Sequence, residues 1–335
     1  MDDQPPSPRK KILIIRFSAV GDIVLTSPVI RAIKEQIPNV EVHYVVKKEY
    51  ASIIEVNPYV DKIHTFFGDL KAIINQLREE KFDFIVDLQK NLRSRKIIRS
   101  LHIPYGTFPK HNIQKWIYVN LKINFLPNIH IVDRYFAATE KLNVFNDGKG
   151  LDFFIPEERE YDEDDLPAVF ENGFVAISLG SIHATKRPPT HKIVEIAKIL
   201  HKPVMLLGGK DVIQEGEDIA IKLGEKAYNG CGKFSLFHSA SIIQKADCLL
   251  TGDTGLMHIA AVFDVPIAVL WGNTLPEFGM YPYRPNKTEN YRNFETVALP
   301  CRPCSKLGYS KCPLRHFKCM NQISVVDVAE WINRF

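Results

Sequence analysis

Short apolar runs alternate with amphipathic helical stretches along most of the 335 residues, and that alternation leaves few folds open. In the first half, strands are predicted at residues 11–17, 41–46, 62–65 and 84–88. Helical periodicity falls between them at 28–36 and 69–80. The second half repeats the scheme, with strands at 174–179, 204–207, 248–250 and 267–271 and helices at 191–200, 212–223, 236–245 and 254–262. Such alternation means an α/β fold of parallel sheets with helices on both faces. The runs ILII at 12–15 and VMLL at 204–207 are apolar throughout, as strands covered on both sides must be.

The length suits two domains. The expected division is a polar, Pro-rich lead-in at 1–10, a first domain at 11–155, a linker at 156–172 and a second domain at 173–335. The linker contains an acidic run at 157–167. Two doubly wound domains joined there face a central cleft at the carboxyl ends of their strands, where ligands of open α/β sheets bind. Ser27 and Pro28 fit an N-cap followed by proline in the first turn. They fit equally a longer helix begun at Asp22 and kinked at Pro28. No apolar run reaches membrane-spanning length, and the N-terminus has no signal-peptide core. The expected location is the cytoplasm.

The formal net charge of +4 is modest, but its distribution is uneven. No acidic residue lies between Asp87 and Asp133. That interval holds Lys90, Arg93, Arg95, Lys96, Arg99, Lys110, Lys115 and Lys122. One-sign stretches focus a positive potential. This one is either a solvated basic face or a contact for phosphorylated substrate, membrane headgroups or nucleic acid. Cys231 and Cys248 sit singly in apolar contexts, as core thiols do. The other four cysteines are crowded: Cys301, Cys304, Cys312 and Cys319, with His316 nearby. In a cytosolic protein that grouping makes a candidate structural metal site, although the inner spacing is looser than in paired Cys-x2-Cys zinc sites.

Three loops carry the chemistry. The first, residues 16–22, follows the first strand and holds one glycine. The dinucleotide and Walker A glycine patterns are absent, which counts against a nicotinamide enzyme and a P-loop NTPase. Asp22 can cap a helix there or act as a general base. The second loop, residues 180–189, follows the first strand of the second domain. Gly180 permits close backbone approach, Thr185 offers a hydroxyl, and Lys186 and Arg187 suit a diphosphate. The third, GDTG at 252–255, opens a small-residue helix. Asp253 or Thr254 can cap its first N–H groups, and Gly255 lets a ligand approach. Asp211, after the strand at 204–207, can cap the next helix or bind a ribose hydroxyl.

Residues 11–28, KILIIRFSAVGDIVLTSP, resemble the opening of the family 9 glycosyltransferases, the ADP-heptose:lipopolysaccharide heptosyltransferases and their relatives. Residues 251–261, TGDTGLMHIAA, resemble that family's nucleotide signature. The loop His183-Ala184-Thr185-Lys186, the turn from Trp271 to Thr274 and the terminal cysteine group also fit, in the right order along nearly the whole chain. The resemblance implies a GT-B fold, two Rossmann-like domains with the donor on the second and the acceptor on the first. It implies inverting transfer without a metal or other cofactor. Asp22 matches the family's proposed base and Lys186 a donor-phosphate contact, with Gly180, Thr185, Arg187 and Asp211 around it. Asp253, Thr254, Gly255 and His258 match the nucleotide signature, and Phe234 the apolar residue against the base. Ser18, Gly21, Arg93, Arg95 and Lys96 fall on the acceptor side. The implied partners are a nucleotide-sugar donor, ADP-heptose, and an anionic lipid-linked saccharide of the lipopolysaccharide inner core. The enzyme is then peripheral at the inner face of the membrane, with no transmembrane segment and no nucleic acid.

Two other readings fit parts of the chain. A GT-B sugar-nucleotide epimerase would share the donor loops and need no acceptor. A nucleic-acid-binding protein would use residues 90–122 with a zinc module at 301–319, but it leaves the three loops unexplained.

Overall fold

A computed structural model describes residues 9–162 and 167–335. Most of the expected lead-in and residues 163–166 of the expected linker lie outside the described residues. The chain forms two compact units. One contains the described residues from 9 to 110 together with Ile129–Phe154. The other contains His111–Asn128 and Ile155–Phe335.

The first unit holds a five-stranded, all-parallel sheet. Its strands are β1 (Lys10–Ile15), β2 (Val40–Lys47), β3 (Lys62–Phe66), β4 (Phe84–Asp87) and β5 (Tyr105–Thr107), in the order β3-β2-β1-β4-β5. Ile12 to Ile15 are buried in the central strand, as a doubly covered sheet requires. Strand β5 is a three-residue edge strand, too short to show a period in the sequence. Gly106 in it lies so close to the Ala138 carbonyl that a Cβ would overlap the oxygen at 2.0 Å. Pro28 starts a separate helix, Ser27–Gln36, after a shorter one at Val20–Val24. Ser27 therefore sits inside its helix, where its Oγ accepts the Asp152 N–H at 2.8 Å. Arg31 of the same helix is buried and donates to both Asp147 oxygens, to Asp152 and to the Gly150 carbonyl. Removing one partner from such a buried cluster typically costs about 3–5 kcal/mol.

The second unit holds six parallel strands: β6 (Val175–Ser178), β7 (Val204–Leu207), β8 (Ala227–Asn229), β9 (Cys248–Thr251), β10 (Ile267–Trp271) and β11 (Tyr291–Glu295). Their order is β11-β10-β9-β6-β7-β8. The unpredicted strands β8 and β11 are the two edges. AYN is too short, and YRNFE too polar, to announce itself as a strand. The core under the sheet joins Ile177, Leu206, Leu250 and Leu270 to Val328 and Trp331 of the helix Val325–Ile332.

Residues 111–128, expected in the first domain, group instead with the second unit. The helix Asn112–Leu121 sets the Tyr118 ring edge-on to Phe278 and the Lys115 ammonium 5.4 Å from the Phe278 centroid. Lys122 donates to the Pro303 carbonyl at 2.6 Å. These partners are remote in sequence, so local pattern could not assign the segment.

In both sheets the strand order reverses once, between β1 and β4 and between β6 and β9. At such switch points neighbouring loops leave the sheet in opposite directions and open a ligand crevice. The three loops singled out above follow β1, β6 and β9.

Candidate functional site

In the second unit the loops after β6 and β9 meet. Lys186 Nζ lies 2.6 Å from Asp253 Oδ2, and the Thr274 hydroxyl donates to the same oxygen at 3.0 Å. Two glycines permit this. A Cβ on Gly252 would stand 2.4 Å from the Lys186 carbonyl oxygen, and one on Gly272 would stand 2.6 Å from the Thr185 carbonyl oxygen. The turn Ala184–Lys186 therefore lies directly against the ends of β9 and β10. Burial alone would raise the Asp253 carboxyl. Lys186, followed by His258 and the Thr274 hydroxyl, outweighs it and holds the group below the usual carboxylate value. His258 is buried on the following helix.

Between the two capping candidates the structure selects Thr254, whose Oγ1 accepts the Met257 N–H at 3.3 Å. The Thr251 and Thr254 hydroxyls lie 3.0 Å apart beneath it. The helix that follows is short, Gly255–Ala260. The principal fixed cation beside this turn is Lys186, so the macrodipole of so short a helix is a minor contributor.

Three expectations for this loop change. Thr185 is buried, and its hydroxyl accepts the Tyr309 N–H at 2.8 Å, so it anchors the C-terminal loop. Arg187 does not join Lys186. It donates to the Ser181 carbonyl and pairs with Asp211 at 2.5 Å. Asp211 correspondingly caps no helix, because a pairing with a fixed guanidinium competes with the free N–H groups. Gly180 has ordinary contact distance to Gly209, so the turns after β6 and β7 run side by side. Phe234 is half-buried in an aromatic corner with Tyr161, at 5.1 Å between centroids, and Tyr228, at 6.4 Å.

In the first unit Asp22 stands at the switch point after β1. Arg16 Nη2 lies 2.5 Å from Asp22 Oδ2, and the Ala19 N–H reaches the same oxygen only weakly, at 3.4 Å. Arg16 is buried, and its other donors go to the carbonyls of Ser18 and Leu88 and to the Tyr135 hydroxyl. Burial opposes its charge, but Asp22, followed by Tyr135 and Tyr44, more than compensates and holds it above its ordinary value. Asp87 at the end of β4 is buried and accepts from the backbone of Gln89 and Lys90 and from Ser94 Oγ. Lys110, pushed down to about 8 by burial and then by Arg16, donates to the Gln89 carbonyl. The sequence did not single out Arg16 or Asp87, and it marked Lys110 only as one cation of the acid-free stretch. The available signal was an arginine directly after the apolar run at 12–15, a placement tolerated only when the charge is paired.

The acceptor-side candidates divide. Gly21 is buried, and Ser18 contributes its carbonyl to Arg16. Arg93, Arg95 and Lys96 stand exposed on the helix Leu92–Leu101, whose first turn Asn91 caps.

All six cysteines are free thiols. Burial raises Cys304 and pushes Cys319 up to about 11, with the neighbouring sulfurs adding to both. Cys301 Sγ lies 3.9 Å from His316 Nε2. Among the described residues, the set whose ligand atoms all lie within 4.8 Å of one another is a different one, His43, His64 and Glu80 of the first unit.

The profile of Glycosyltransferase family 9 (heptosyltransferase) matches residues 70–309. Lipopolysaccharide heptosyltransferase 1 of Campylobacter coli is 26% identical over 288 residues, which cover 79% of this chain and 84% of that protein. Lipopolysaccharide core heptosyltransferase OpsX of Haemophilus influenzae is 25% identical, covering 86% and 84%. Among solved structures, a family 9 glycosyl transferase from Veillonella parvula aligns with a TM-score of 0.72 at 22% identity over 97% of both chains. The ADP-heptose lps heptosyltransferase II of E. coli aligns at 0.66 and 19% identity, over 95% of this chain and 99% of its own. The structural likeness shows a shared GT-B fold.

Proposed function

The chain belongs to glycosyltransferase family 9, and we propose that it transfers a heptose-type sugar, with inversion and without a metal, from ADP-heptose to an anionic lipopolysaccharide inner-core acceptor. Family membership places the reaction in glycosyl transfer, and the epimerase and nucleic-acid readings fall away with it. The donor and acceptor classes follow the names of the relatives. The observation that carries the mechanism is the Lys186–Asp253 pair, which holds a cation at the switch point of the second sheet.

In this reading the diphosphate of the donor takes up Lys186. An acceptor hydroxyl gives its proton to Asp22 as its oxygen bonds to the anomeric carbon. The bond from that carbon to the diphosphate oxygen breaks on the opposite face, which inverts the centre. The electron pair departs with the diphosphate, and Lys186 faces the charge that develops. A fixed donor aimed at such charge is worth about 3 kcal/mol in the transition state. Arg16 keeps Asp22 oriented. The exposed cations Arg93, Arg95 and Lys96 suit an acceptor bearing phosphate or carboxylate.

The test is incubation with ADP-heptose and a heptose-acceptor glycolipid after dialysis against chelator, with the new glycosidic bond read by NMR. Inverted product supports the reading. Retained configuration, loss of turnover on chelation, or epimerised donor formed without acceptor would overturn it.

A further inference from the structure

No helix of the described residues is long and apolar enough to cross a membrane, yet one helix carries an apolar stripe on its outer side. On the helix Asn112–Leu121, Ile113, Trp116, Ile117 and Leu121 follow the i, i+3, i+4, i+8 spacing of a single face. The opposite side, with Lys115 and Tyr118, is the one that packs on Phe278. Every one of the ten residues is half-buried or exposed, with Ile113 at 75%, Trp116 at 60% and Leu121 at 58%. Phe125 just beyond is 64% exposed. A helix of a water-soluble domain normally turns its apolar stripe inward. This one turns it out.

The end of this helix is bonded to the C-terminal loop. Lys122 Nζ donates to the Pro303 carbonyl at 2.6 Å, which ties that loop to the C-terminal end of the helix at Pro303. That loop exposes Leu307 and Leu314. Both segments are free of acid. None occurs between Asp87 and Asp133, and none between Glu295 and Asp327. The second interval carries Arg302, Lys306, Lys311, Arg315 and Lys318. Exposed aromatic and aliphatic side chains on segments that carry cations and no acid of their own complement a surface that is apolar beneath and negative at its face.

We infer that the outward face of Asn112–Leu121 and the adjoining loop dock this protein on an anionic lipid bilayer. Trp116 and Ile113 enter the headgroup–acyl boundary, and Lys306 and Lys311 meet lipid phosphates. The inference rests on the lipid-linked acceptor proposed above and names the surface that would bring the enzyme to it.

Trp116 supplies the readout, because Trp271 and Trp331 are buried. The full chain, without donor, is floated with phosphatidylcholine vesicles with and without phosphatidylglycerol. Binding is expected only where phosphatidylglycerol is present, with salt weakening it and brominated acyl chains quenching Trp116. Trp116→Ala and Ile113→Asn should each lower partitioning by about tenfold or more, since each removes an apolar side chain that the bilayer would bury. Lys306→Glu with Lys311→Glu should abolish it. Equal binding to neutral vesicles, or Trp116 unquenched in bound protein, overturns the inference. So does a blue-shifted Trp116 without lipid in a chain that sediments as a dimer, which would make a second copy the occupant. Transfer to a deacylated, water-soluble acceptor separates the two proposals. Trp116→Ala should leave it unchanged. Failed flotation with intact transfer sinks the docking surface alone, and flotation without transfer sinks the proposed function alone.

Discussion

Lys186 Nζ lies 2.6 Å from Asp253 Oδ2, so one ion pair ties the loop after β6 to the loop after β9. Lys186→Ala should weaken ADP binding by roughly tenfold to a hundredfold, the usual worth of a charge-assisted bond. It should also lower the melting temperature, because Asp253 loses its ion pair and keeps the weaker support of Thr274 and His258. Adding Asp253→Asn should recover stability without recovering ADP affinity. Calorimetry and thermal melts on the double-mutant cycle check this. An unchanged ADP affinity in Lys186→Ala would remove the lysine from the site.

Asp22→Asn should cut turnover by about a hundredfold to ten-thousandfold, the span of a lost general base, while ADP affinity stays near that of the parent chain. Arg16 keeps three other acceptors in this variant, the carbonyls of Ser18 and Leu88 and the Tyr135 hydroxyl. The first unit should therefore stay folded. Steady-state rates beside circular dichroism separate chemistry from folding, and near-normal turnover would reassign the base.

Gly252→Ala tests whether the close approach of the two loops matters. The added methyl would meet the Lys186 carbonyl oxygen at 2.4 Å, and that atom is backbone with no freedom to swing aside. The Ala184–Lys186 turn must then lift off the strand end. We expect a stability loss of about 1–3 kcal/mol, as for other overpacked sites, together with weaker ADP binding. Equal ADP affinity in a stable Gly252→Ala protein would show that the contact is dispensable.

His64 gives the first unit an acid limit. Burial, and then neighbouring His43, pushes His64 from 6.5 down to about 4. Below pH 6.5 the unfolded chain takes up a proton that the folded chain refuses. The contribution is thus complete above 6.5 and is lost as pH falls toward about 4, by up to about 3 kcal/mol. Urea melts at pH 7 and 5 should show the loss, and His64→Leu should flatten it. All three tryptophans, Trp116, Trp271 and Trp331, lie in the second unit. The first unit must therefore be followed by hydrogen exchange or circular dichroism. A pH dependence unchanged in His64→Leu would clear the histidine.

Much of this protein follows from its sequence alone, because strand and helix periods are local. The central strands β1, β2, β6, β7, β9 and β10 are apolar enough to announce themselves, and a strand followed by a glycine-bearing turn and a helix identifies each crevice loop. Three things were decided by tertiary structure. Edge strands β5, β8 and β11 form because a neighbour offers a free edge, which no local pattern records. Residues 111–128 join the second unit because Phe278 and the Pro303 carbonyl wait there, far along the chain. Of the adjacent cations Lys186 and Arg187, composition made a pair. The fold sends one to Asp253 and the other to Asp211, because successive side chains leave a turn in different directions and each charge settles on the carboxylate within reach.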